Sequence, residues 1–351
     1  MRKLFLLFVV VAAFGGVGYF VGPRVLAYFY RPPVYIPPEN RFQVNIHTAT
    51  GGEIPQTTLL EGGSHVYQTF NNCGPAALSM ALSHYGANFS QAVLGDRLRP
   101  YQVANGDNDD KSVTLEEIAA VAPEYGFVAY HRPAGSREAV KAFLAEGIPV
   151  IARTLLKPSE DIGHYRLVKG YDDDQGVFVQ DDSLQGAGLA FTYDNFDQMW
   201  EAFNYEYLIL VRPEDTQKAE KVLGGYLDEE FAWREALARA EAADGIFAAF
   251  NRSVAHYHLG NFEASVREYK AVADRLPKRT LWYQIEPILA YQQLGRYERV
   301  FEITTNILEN GNRAFSELYQ LRGEIYELEG NTEAAQEEFA KALLYNKNYN
   351  L

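Results

Sequence analysis

The chain has 351 residues, 46 of them acidic and 32 basic, for a formal net charge of -14. That balance offers no phosphate-neutralising excess and argues against a nucleic-acid partner, while the length suits about two or three domains. A cysteine count of 1 excludes an internal disulfide framework, a multi-cysteine zinc site and an iron–sulfur cluster.

Leu4 to Val21 is an uncharged run of 18 residues behind Met1-Arg2-Lys3. A helix of that length crosses a bilayer core, and the basic start suits a cytoplasmic end. Residues 1–22 are therefore expected to be a transmembrane signal anchor, with the bulk of the chain outside the cytoplasm. Val25-Leu26-Ala27 provides for the alternative, secretion after signal cleavage. Arg31 to Pro38 holds four prolines between positions 32 and 38, so residues 23–55 are read as a stiff, extended spacer.

Residues 56–213 mix helices and strands. Pro75 to Tyr85 reads as an apolar helix. A second helix starts at Thr114, where Thr114-x-x-Glu117 has capping-box spacing, and a third runs from near Ser136 to Gly147. Strand-type runs follow at Ile148–Thr154, His164–Tyr171, Val177–Gln180 and Tyr205–Val211. Helices followed by strands indicate an α+β domain.

Cys73 lies at the start of the first of these helices, in Gln68-Thr69-Phe70-Asn71-Asn72-Cys73-Gly74-Pro75. Pro75 suits a first helical turn, and the positive end of the helix macrodipole favours a thiolate there. Gln68, five positions upstream, can fold its amide back so that it and the Cys73 backbone N–H meet one developing oxyanion. His164 is a candidate base. If its strand turns at Asp172-Asp173-Asp174-Gln175-Gly176 with Tyr171 facing Gly176, His164 faces Ser183. Asp181 is then its diagonal neighbour on the same face and Asp182 points away; a one-residue slip exchanges the two aspartates. His84 and His131 have no partner pattern and read as structural. His256 and His258, two apart on a helix, do not share a face for a metal. The loop Asp107-Asn108-Asp109-Asp110 lacks the glycine and distal glutamate of an EF-hand.

From Glu214 to the end, residues 214–351, a helical period replaces the strands. Gly260, Gly295 and Gly330 fall 35 residues apart in similar surroundings, Leu259-Gly260-Asn261, Leu294-Gly295-Arg296 and Glu329-Gly330-Asn331, and Gly225 lies a further 35 upstream. This unit resembles the tetratricopeptide repeat, a helix–turn–helix of about 34 residues. The resemblance implies an all-α solenoid that binds a protein partner or the substrate in a concave groove.

The order Gln68…Asn72-Cys73-Gly74-Pro75-Ala76-Ala77-Leu78, then Gly163-His164-Tyr165, then Gly170-Tyr171-Asp172-Asp173-Asp174-Gln175-Gly176-Val177-Phe178-Val179-Gln180-Asp181 is similar to papain-like cysteine peptidases. It resembles those of the bacteriocin-processing (double-glycine leader peptidase) type, and their stand-alone, secreted relatives in particular. The resemblance covers roughly residues 56–213. It implies a nucleophile at Cys73, a base at His164, an orienting acid at Asp181 and an oxyanion-hole amide at Gln68, with no cofactor or metal. Asn72 stands where that family often has Asp, and Asp182-Ser183 follows where it often has Pro. No GxxxxGK[ST] loop is present, so the transporter-fused members' export role does not carry over. The expected activity is thiol-dependent hydrolysis of a peptide or protein substrate outside the cytoplasm. The alternatives are a catalytically silent peptide-binding adaptor and a thiol acyltransferase.

Overall fold

The computed structural model describes residues 54–98, 113–158 and 160–348. The expected anchor at Leu4–Val21, the spacer at Arg31–Pro38 and the acidic loop Asp107–Asp110 lie outside those residues. Among the described residues no helix is long and apolar enough to cross a membrane.

The front region combines helices with an antiparallel sheet, as an α+β reading requires. In chain order its elements are β1 (Thr57–Leu59), α1 (Cys73–Ser83), α2 (Gln91–Leu98), α3 (Leu115–Val121), β2 (Val128–Arg132), α4 (Arg137–Ala145), β3 (Val150–Leu155), β4 (Gly163–Asp172), β5 (Val177–Asp182), β6 (Gly186–Thr192), α5 (Tyr193–Trp200) and β7 (Tyr207–Val211). The strands run in the order β2-β7-β3-β4-β5-β6, with β1 paired to the far end of β4. Strand β7 shows how the sheet divides its side chains. Leu208 and Leu210 face the core around α1, whereas Tyr207, Ile209 and Val211 face the core around α4 and α5.

Helix α1 is buried along its whole length, which explains why it is apolar on every side rather than striped. It begins at Cys73, two residues earlier than Pro75 suggested, with Asn72 in the N-cap position. The capping box at the head of α3 forms as the spacing predicts. Glu117 N–H donates to Thr114 Oγ1 and the Thr114 N–H donates to Glu117. At the end of α4, Gly147 adopts φ 79°. Its N–H and that of Ile148 donate to Leu144 and Phe143 carbonyls, a Schellman closure. The short strands β1, β2 and β6 and the helices α2 and α5 escaped the sequence pattern.

The rear region is helical: α6 (Thr216–Leu223), α7 (Glu229–Glu241), α8 (Ile246–His258), α9 (Phe262–Val272), α10 (Thr280–Tyr283), α11 (Glu286–Gln293), α12 (Tyr297–Glu309), α13 (Ser316–Leu328) and α14 (Thr332–Tyr345). Gly260, Gly295 and Gly330 take φ of 73°, 66° and 76° at the ends of α8, α11 and α13. Each turn repeats one hydrogen-bond pattern. The glycine N–H donates three residues back, to Tyr257, Gln292 or Glu327. The next N–H donates five back, to His256, Tyr291 or Tyr326. The 35-residue period is thus a recurring Schellman turn between paired helices. Gly225 departs from it, lying in a short 3-10 turn between α6 and α7.

Candidate active site

Cys73 opens α1, so its sulfur lies at the positive end of the helix macrodipole. His164 is the second residue of β4 and sits opposite Thr154 of β3. Its imidazole joins two partners. Nε2 lies 2.9 Å from Asp182 Oδ1, and the ring also hydrogen-bonds Cys73. With Nε2 held by the carboxylate, Nδ1 is the nitrogen left for sulfur. His164 is 3% exposed and Asp182 0%.

The electrostatics follow from that burial. Desolvation works to lower the His164 pKa, but the Asp182 charge and hydrogen bond, with the Cys73 contact, outweigh it and raise the value from 6.5 to about 9. Asp182 is pulled the other way. Burial would raise it, yet His164, Arg166 and the Gln185 N–H hold its carboxyl well below the usual carboxylate range.

Asp182 is held from all sides. Oδ1 also accepts from the backbone N–H groups of Leu184 and Gln185, both at 2.8 Å. Oδ2 pairs with Arg166 Nη1, whose guanidinium also donates to Thr154 Oγ1 and to the Leu156 carbonyl, at 3.0 and 2.7 Å. The Asp182 carbonyl contacts His65 Nε2 at 2.8 Å. Arg166 and His65 were missed from sequence. For Arg166 a signal existed: it lies two residues beyond His164, hence on the same face of the strand.

The diagonal neighbour expected for His164, Asp181, is not the aspartate that meets it. Asp181 points to the opposite face, pairs with Lys169 Nζ at 2.8 Å and accepts from Gly188 N–H at 2.8 Å. The cause lies in the register. Tyr171 faces Phe178 rather than Gly176, because the turn, of the same length, sits one residue further along the chain and Asp172 pairs with Val177. That two-residue change alone would keep the same faces together. A bulge between Val168 and Gly170 then adds one residue to β4, so that Arg166 faces Asp182 and Leu167 faces Asp181. The bulge exchanges the two aspartates.

Gln68 is tied to the same neighbourhood. Its N–H donates to the Ser183 carbonyl at 2.8 Å, and its Oε1 accepts from Ser183 Oγ at 2.8 Å. With the oxygen so engaged, the amide keeps its Nε2 donors for another acceptor. Asn72 is buried and donates through Nδ2 to Thr69 Oγ1 at 2.9 Å, bracing the loop that delivers Cys73. Among the described residues no group of three or more His, Cys, Asp or Glu is arranged to hold a metal ion. His131 does have a partner, Glu206 Oε2 at 3.3 Å, and His258 stacks on Trp233 with centroids 3.8 Å apart.

Similar solved structures include a protein described as a C39-like peptidase from Bacillus anthracis, at 16% identity and TM-score 0.38, covering 44% of this chain and 98% of that one. The peptidase domain of Streptococcus ComA, a bi-functional ABC transporter involved in a quorum sensing pathway, is 19% identical with TM-score 0.34, covering 43% and 99%. A double glycine motif protease from an AMS/PCAT transporter, in complex with the leader peptide, is 18% identical with TM-score 0.32, covering 44% and 96%. No curated protein matches the chain. It is residues 54–208, the segment that contains Gln68, Cys73, His164 and both aspartates, that match the Peptidase_C39 like family.

Proposed function

We propose that the protein is a papain-like cysteine peptidase whose reacting groups are Cys73, His164 and Asp182, with Gln68 at the oxyanion. One observation carries the reading: a single buried imidazole hydrogen-bonds both the chain's only thiol and a carboxylate. The match of residues 54–208 to the Peptidase_C39 like family supports it.

In this reading His164 keeps its proton at neutral pH, and the imidazolium with the helix N-terminus favours the Cys73 thiolate. The sulfur attacks the peptide carbonyl and a C–S bond forms. The oxyanion meets the Cys73 N–H and the Gln68 amide. As the C–N bond breaks, His164 gives its proton to the leaving amine. Water, losing a proton to His164, then hydrolyses the thioester and restores the thiolate. Asp182 fixes the ring in the orientation that serves both transfers. No step asks for a cofactor.

The recurring turns at Gly260, Gly295 and Gly330 support reading the rear region as tetratricopeptide repeats that hold a protein partner or the substrate. The sequence of residues 1–22 supports a membrane anchor that places the enzyme outside the cytoplasm. The test is mass analysis of products after incubation with a diverse peptide library. New termini that vanish with Cys73→Ala support the peptidase. Transfer to an added amine in place of hydrolysis indicates an acyltransferase, and retention of uncleaved peptide indicates a binding module.

A further inference from the structure

The rear helices reach the neighbourhood of His164. Tyr283, the last residue of α10, packs its ring against Gly163, the neighbour of His164. A Cβ at Gly163 would stand 3.1 Å from Tyr283 Cε1. Further contacts hold the tyrosine and its segment there. Arg153, 3% exposed on β3, donates through Nη2 to the Tyr283 carbonyl at 2.6 Å. The ring meets Phe203 edge-on with centroids 6.0 Å apart. Just before α10, Arg279 Nη1 grips Asp161 Oδ1 at 2.6 Å, two residues ahead of Gly163. Burial pushes the Tyr283 phenol up to about 12, so it is neutral at physiological pH.

The segment Asp161–Gly163 is therefore clamped between Arg279 and Tyr283 as it feeds His164 into β4. We propose that Tyr283 is a positioning residue for His164: its ring, packed on Gly163 and tied to β3 through Arg153, sets where the imidazole stands between Cys73 and Asp182. The rear region is then part of the active site, not a separable appendage. This rests on the peptidase reading of that site.

Alkylation of Cys73 in the full chain tests it without a known substrate. The probe is iodoacetamide, and the readout is the ratio of the rate at pH 6 to that at pH 9. Access to the sulfur enters both rates equally and cancels, so the ratio reports thiolate support from His164. Tyr283→Ala should lower the ratio about tenfold, and Tyr283→Phe, which keeps the ring, should hold it within about twofold. On a cleaved peptide, Tyr283→Ala should lower kcat by about ten- to a hundredfold and leave KM within about threefold. A Tyr283→Ala ratio equal to wild type, while His164→Ala collapses it, overturns the role of Tyr283 and leaves the peptidase reading standing. An unchanged ratio in His164→Ala overturns the peptidase reading and this proposal with it. If Tyr283→Ala fails to fold, Gly163→Ala replaces it, driving a methyl against the ring. A lowered ratio there supports the proposal and a wild-type ratio overturns it.

Discussion

The front sheet and the rear helices fix a residue's surroundings by different means. In the rear region the decisive contacts are near in sequence: Gly260 closes on Tyr257, and Asn261 on His256. In the front region they are remote: Ser183 meets Gln68, Tyr165 meets Val113, and His164 meets Asp182. A helix absorbs a small offset, because face follows a period of 3.6. A strand does not, because one added residue sends every later side chain to the other face. The bulge in β4 is such a residue. Position along the chain therefore tells more about the helices than about the site.

Substitutions can break this contrast, beginning with the largest effect. His164→Ala removes the group that both halves of the site share, and turnover should fall about 10⁴-fold, the top of the range for acid–base catalysis. Product mass analysis checks it, and near-normal cleavage would return the site to a structural role. The paired aspartates come next. Asp182→Asn should lower turnover on the order of 10²–10⁴-fold. It should also cost about 3–5 kcal/mol, since the buried Arg166 loses its carboxylate. Asp181→Asn should leave turnover within about twofold. Turnover measured beside denaturant midpoints separates the two, and the reverse pattern would mean that the bulge does not set the face.

How much of this was legible follows the same contrast. The thiol at a helix start, the histidine on a strand and a carboxylate across the hairpin were all readable, because each depends on residue type and approximate order. Asp182 over Asp181 was not. The turn Asp173–Gly176 and the extra residue near Lys169 leave no mark in the hydrophobic pattern, which reads the same on either side of a bulge. Likewise Tyr283, 119 positions beyond His164, belongs to the helical pattern and gives no sign that it faces the site. The glycine turns were readable because left-handed positions nearly demand that residue.

Smaller effects sharpen the comparison. Gly295→Val places a β-branched side chain at φ 66° and should cost about 1–2 kcal/mol. Chemical denaturation checks it; a neutral result would mean that the period is not held by its turns. The pH dependence of stability concerns the sheet instead. His164 holds its proton to about 9 when folded, against 6.5 for the unperturbed group. Its stabilisation is therefore complete below 6.5 and is lost as pH rises through 9. The melting temperature of the wild type should fall more steeply across that window than that of His164→Ala. Parallel slopes would count against a charged His164.

The row Cys73, His164, Asp182 and Arg166 also has a charge balance. As thiolate, imidazolium, carboxylate and guanidinium it sums to zero, with Asp182 and Arg166 fully enclosed. A neutral set can be buried where a net charge is expensive. In the proposed mechanism, once the sulfur bonds the carbonyl carbon its negative charge passes to the oxyanion and the row carries one surplus proton. The imidazole has just lost the neighbour that helped to hold that proton, and the departing amine is the base at hand. In that mechanism proton delivery is timed by bond formation itself: His164 lets go as the amine departs and leaves Cys73 acylated. When water regenerates the thiolate, the imidazole again finds reason to stay charged.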